Sequence, residues 1–90
     1  MKNLDKYFDN LRVLRAISIE GSFKDAALSL EVSKSFVTKK VSELEIQYGM
    51  PVANRSSGGN STSLTEFGQQ LVDRTQIAID ALVGLSLIHI

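Results

Sequence analysis

Val37, Val41, Leu44 and Tyr48 recur at i, i+4, i+7 and i+11, a spacing that predicts a helix of about three turns with one buried apolar stripe. The opposite face carries Lys34, Ser35, Thr38, Lys39 and Ser42. A helix divided this way docks on a core through its β-branched and leucine side chains and presents hydroxyls and lysines outward. Ser33 stands where its hydroxyl can accept from a backbone N–H two or three residues on, so it is the predicted N-cap. Gly49 stops the helix. Pro51 prevents its resumption, because proline lacks an N–H and restricts the residue before it.

Two helices are predicted ahead of this one. Leu4, Phe8, Leu11, Leu14 and Ile17 or Ser18 recur at spacings of three and four, an amphipathic stripe running to about Ile19 and ended by Gly21. Ser22 then has the position of an N-cap for a short helix of about eight residues. Its Phe23, Ala26, Ala27 and Leu30 read as core, the alanines allowing close helix approach. Glu31 and Val32 make a tight connection to Ser33.

After Gly49 an extended stretch or short strand is expected from Met50 to Arg55. The run Ser56-Ser57-Gly58-Gly59-Asn60-Ser61-Thr62-Ser63 reads as a polar loop joining two strands of a hairpin, with a return strand of only Thr62 to Leu64. Thr65 caps a last helix, in which Leu71, Thr75, Ala78 and Leu82 again fall at i, i+4, i+7 and i+11 while Phe67 packs back on the domain. A helix from Thr65 to about Val83 is near 28 Å long at about 1.5 Å per residue, more than so small a body covers. The four residues are therefore expected to form a dimer seam, the alternative being the packing face of a helix folded onto its own domain. Leu85 to Ile90 resemble the translation of a transposon end used in sequencing-library preparation and are set apart from the fold as a non-native tail.

Ninety residues with 43% hydrophobic content suit one small domain, with no room for a second, catalytic one. The chain has no cysteine, which removes disulfide frameworks and thiolate metal sites and fits a reducing cytoplasm. The first six residues are polar where a signal peptide needs an apolar run, and no stretch approaches the roughly 18 to 20 apolar residues of a membrane span. A cytoplasmic protein is expected. Enzyme readings lack parts: the single histidine, His89, lies in the tail, no glycine-rich phosphate loop joins a strand to a helix, and no paired carboxylate motif occurs. Neither a metal nor a cofactor is expected.

Ten basic residues balance ten acidic ones, so net charge does not argue for nucleic acid; the distribution does. Lys34, Lys39 and Lys40 occupy a segment from Ser33 to Ser42 that holds no acid. Two helices joined by a short turn, the second polar on its outer face, describe a helix-turn-helix, whose second helix enters the major groove. Lys34, Ser35, Thr38 and Lys39 are the candidate DNA-facing residues, because lysine donates to guanine O6 and N7 and hydroxyls serve bases or phosphates. An ordinary solvated helix face is the alternative. Ser33 is a candidate phosphate neighbour at a helix N-terminus, while Ser22 and Thr65 are structural caps.

Gly21-Ser22-Phe23, Ala26-Ala27, Leu30, Val32-Ser33, Leu44-Glu45, Gly49, Arg55 and Leu64-Thr65-Glu66-Phe67-Gly68 together resemble the N-terminal domain of LysR-type transcriptional regulators, over roughly Leu11 to Leu82. The resemblance implies a mostly α fold: a winged helix-turn-helix of three helices and a small β-hairpin over residues 1–64, then a linker helix over 65–84. It also implies double-stranded DNA as partner and pairing of two or more subunits through the linker helix. A small-molecule effector would act only through a separate C-terminal domain that is missing here. Arg55 becomes a candidate phosphate clamp on the same ground. Departures from the family pattern are specific. Lys34-Ser35 stand where glutamine and proline are usual, Ala53 replaces a bulky aromatic, and the wing is about two residues longer, with no basic residue after Arg55. These departures and the neutral charge keep open a winged-helix protein-interaction module without DNA binding, and behind it a small structural helix bundle.

Overall fold

The computed structural model describes residues 2–55 and 62–88, with side chains described for 8–54, 62–78, 80 and 81. In chain order the elements are α1 (Lys2–Glu20), α2 (Phe23–Leu30), α3 (Lys34–Tyr48), β1 (Ala53–Arg55), β2 (Thr62–Leu64) and α4 (Glu66–Ile88). The architecture is the expected winged helix-turn-helix, mostly helical with one two-stranded antiparallel sheet.

Each boundary has a local cause. α1 ends where Gly21 adopts φ 85° and its N–H donates to the Ile17 carbonyl at 2.8 Å. Ser22 caps α2, its hydroxyl accepting from the Asp25 N–H at 3.0 Å, and Ser33 caps α3 in the same way through the Phe36 N–H. Between them Glu31 takes a left-handed conformation that the family of L side chains adopts at a cost, and in this position it closes α2. Gly49, φ 68°, closes α3. Thr65 caps α4 through the Gly68 N–H at 3.0 Å and donates its own hydroxyl to the Pro51 carbonyl at 2.8 Å.

The core lies where α1, α2 and α3 meet. Leu14, Ile17, Val37, Val41, Leu44 and Val52 are fully buried. Val13 and Ala16 are buried too, outside the anticipated stripe, because α1 is packed against α2, α3, α4 and β2 and so is covered over more than one face. Three expected core residues differ. Phe8 is 43% exposed and borders the groove between α1 and α4; Leu30 and Tyr48 are only half-buried, each at the last residue of its helix. Tyr48 instead meets Phe67 edge to face, ring centroids 5.3 Å apart, and so joins the end of α3 to the start of α4.

β1 and β2 pair Ala53 with Leu64, Asn54 with Ser63 and Arg55 with Thr62. The wing is fastened at its base: the Thr62 N–H donates to the Gly21 carbonyl at 2.9 Å, the Val52 N–H to a Glu45 carboxylate oxygen at 3.0 Å, and the Thr65 N–H to the Val52 carbonyl at 3.0 Å. The loop 56–61 anticipated as the wing tip lies outside the described residues. α4 continues past the expected end near Val83 to Ile88, and its first three turns bear on the core through Phe67, Leu71, Val72 and Thr75. The molecule extends 47 Å along one axis against 26 and 24 Å along the others.

Candidate nucleic-acid interface

α3 is positioned by the residues it buries. With Val37, Val41 and Leu44 locked in the core, the 3.6-residue period sends Ser35, Lys39, Ser42 and Ile46 directly away from it. Ser35, Lys39 and Ile46 are exposed and Ser42 half-buried; Lys34 and Thr38 flank this stripe, the lysine exposed and the threonine half-buried. The structure thus brings Lys34, Ser35, Thr38 and Lys39 onto one accessible side of the helix, in its first two turns. Among the described residues neither Lys34 nor Lys39 is engaged in an ion pair, so both ammonium groups remain open to an external anion.

The hydroxyls are less free than the sequence suggests. Thr38 donates to the Lys34 carbonyl at 3.1 Å, leaving its oxygen to accept and its methyl to make apolar contact. Ser33 Oγ already accepts the Phe36 N–H at 3.0 Å, so what it offers a phosphate is its hydroxyl hydrogen, beside the unpaired N–H groups of the first turn. The backbone of Arg55 sits at the end of β1, opposite Thr62; its side chain is outside the described residues.

Lys40 is not part of this surface. Its Nζ lies 5.2 Å from the Phe36 ring centroid and 3.7 Å from a Glu43 carboxylate oxygen, with the two charged side chains 13% and 19% exposed. Its charge is spent inside the protein. Two apolar residues that polar patterning passed over stand on α3: Phe36, 36% exposed, and Ile46, 82% exposed. The signal for both was available, because a large apolar residue that falls off a complete i, i+4, i+7, i+11 stripe is exposed by geometry.

On α4, Leu71 is half-buried, Thr75 is buried with its hydroxyl donating to the Leu71 carbonyl at 2.7 Å, and Ala78 is exposed. Leu82 has its side chain outside the described residues. Phe8, Tyr48, Leu71, Arg74 and Ala78 border an open groove of about 600 Å³ between α1 and α4. Among the described residues no three His, Cys, Asp or Glu side chains approach closely enough to hold a metal, and no helix is long and apolar enough to cross a membrane.

Residues 8–76 match the family model for the bacterial regulatory helix-turn-helix protein, lysR family. The chain belongs to the LysR family. Relatives include probable RuBisCO transcriptional regulators from Trichormus variabilis, 45% identical over 73 residues, and from Nostoc, 46% identical over 72 residues. Those matches cover 81% and 80% of this chain but 21% of each relative, so the chain spans about a fifth of their length. Among solved structures, the CbnR DNA-binding domain in its DNA complex superposes with a TM-score of 0.77 at 26% identity, covering 91% of both chains. Full-length LTTR LysG from Corynebacterium glutamicum gives a TM-score of 0.72 at 32% identity, over 89% of this chain and 28% of that one. This member of the LysR family therefore carries the DNA-binding fold of a family of transcription regulators.

The family motifs acquire physical reasons from the fold. Leu44 is buried while its neighbour Glu45 fastens Val52, and Thr65 and Gly68 form the cap that lets α4 start against the same residue. Glycine at 68 is needed because a Cβ there would lie 2.0 Å from the Val52 carbonyl oxygen.

Proposed function

We propose that this chain is the DNA-reading part of a transcription regulator, binding a specific double-stranded site with α3 in the major groove and working as a dimer joined through α4. The observation that carries the reading is the outward side of α3. Two exposed lysines, neither in an ion pair among the described residues, and two hydroxyl residues occupy its first two turns, the part of a recognition helix that reaches base edges. Phosphate contacts from Lys34, Lys39, Ser33 and Arg55 would supply most of the affinity and its salt dependence.

Dimerisation rests on α4. From Glu66 to Gly84, ahead of the tail, α4 makes about 28 Å of helix; its first three turns pack on the core through Phe67, Leu71, Val72 and Thr75, and Ala78 lies exposed beside an apolar groove. Two-fold pairing sets two copies of α3 on one face of the duplex and selects a pseudo-palindromic site. The full-length relatives are about five times as long as the matched segment, and a small-molecule effector would act through that additional length.

Binding to a random pool of double-stranded DNA at two salt concentrations tests the reading. A short motif is expected to enrich, and the Lys34→Ala/Lys39→Ala double variant is expected to lower the slope of log K against log salt by about 2. Absence of DNA binding at low salt would overturn the reading in favour of a winged-helix protein-interaction module, which the zero net charge also suits.

A further inference from the structure

Phe36 has no place in the apolar stripe of α3. It lies one residue after outward-facing Ser35 and one before buried Val37, hence about 100° round the helix from each. Its backbone is fixed, because its N–H is the one that Ser33 Oγ accepts, which makes it the third residue of the helix. Long side chains on a helix lean toward its N-terminus, so the ring covers the first turn, the end that enters a groove.

The ring is also held from the C-terminal side. Lys40 Nζ lies 5.2 Å from its centroid, and Glu43 sits 3.7 Å from the same ammonium group. With that charge balanced within the protein, Phe36, Lys40 and Glu43 form an ordered row along one flank of α3. A ring restrained in this way loses little further freedom when it is covered. It is nevertheless 36% exposed, beside the outward face that carries Ser35, Lys39 and the apolar Ile46.

Along the major-groove edge of DNA, three of the four bases present only hydrogen-bonding groups, and thymine alone presents a methyl. The apolar ring therefore has one matching feature there. We propose that Phe36 is a specificity-determining residue that packs on the 5-methyl group of thymine at one position in each half-site. The proposal rests on the reading of α3 as a DNA-binding helix and adds a base identity to it.

The test uses the motif selected by the chain, synthesised with each thymidine replaced singly by deoxyuridine, which removes the methyl and leaves every hydrogen-bonding group unchanged. Removal of one buried methyl is expected to weaken binding about fourfold at one position per half-site and nowhere else on the α3 footprint. Phe36→Ala is expected to bind the thymidine and deoxyuridine duplexes equally at that position, Phe36→Leu to keep the discrimination, and both to keep the wild-type salt dependence. A selected motif without thymine, a wild-type chain indifferent to every deoxyuridine, or a Phe36→Ala variant that still discriminates would overturn the proposal while leaving DNA binding intact. Failure to select any motif would instead remove the DNA-binding reading and this inference with it.

Discussion

Gly68 faces the carbonyl group of Val52 so closely that a Cβ built on it would stand 2.0 Å from the oxygen and 2.9 Å from the carbon. The carbonyl cannot withdraw cheaply, because it accepts the Thr65 N–H, while the N–H of the same residue donates to Glu45. Gly68→Ala is expected to lower stability by about 3 kcal/mol, the upper range for forced overpacking. Urea unfolding should show a lower midpoint at unchanged slope; a loss below about 0.5 kcal/mol, the level of a neutral surface change, would contradict the contact.

Lys39 and Lys40 are adjacent in sequence and opposite in setting, the first exposed and the second turned onto Phe36 and Glu43. Lys39→Ala is expected to lower the salt slope of DNA binding by about 1. Lys40→Ala should leave that slope alone and cost stability instead, about 1 kcal/mol for the ring contact and the partly buried ion pair. Paired salt titrations and thermal melts of the two variants separate these effects, and a salt slope that falls equally in both would refute the assignment.

Glu31 closes α2 at φ 60°, ψ 43°, the only non-glycine residue with positive φ among those described, and its side chain is exposed. Glu31→Gly relieves that conformation and removes no buried contact. A gain of about 0.5 to 1 kcal/mol is expected, read as a rise of several degrees in thermal midpoint.

Ala78 is exposed on α4 next to the groove that Phe8 and Leu71 border. A charged side chain there meets water in a monomer and an apolar partner in the proposed dimer. Sedimentation of Ala78→Glu should give a monomer under conditions where the unaltered chain dimerises, with the unfolding midpoint of the monomer essentially preserved. If the variant and the parent sediment alike as dimers, the seam lies elsewhere.

Helix boundaries were legible because they are set by neighbours in the chain. Ser22, Ser33 and Thr65 cap through N–H groups three residues on, and Gly21 and Gly49 end helices by their own φ. The return strand Thr62–Leu64 follows from the same local logic of a polar loop and a capped helix. Burial was legible where a helix buries a single stripe, as for Val37, Val41 and Leu44. Val13 and Ala16 are buried because α1 also meets α4 and β2, which lie far off in sequence. The same limit applied to the site. Lys34, Ser35 and Lys39 could be placed by period alone, whereas the withdrawal of Lys40 depends on its contacts with Phe36 and Glu43. Phe36 falls on the edge of the polar face, where its exposure follows from the helical period but its contact with Lys40 does not. The likeness to the LysR family marked Gly68 and Glu45, but only their distances to Val52 explain why these residue types stand there.

Val52 is gripped from both sides, by Glu45 of α3 through its N–H and by Thr65 at the head of α4 through its carbonyl, and Gly68 lets α4 seat directly on it. The end of α3 and the head of α4 are thereby tied to one backbone unit, and displacing Val52 would break the attachment of both helices at once.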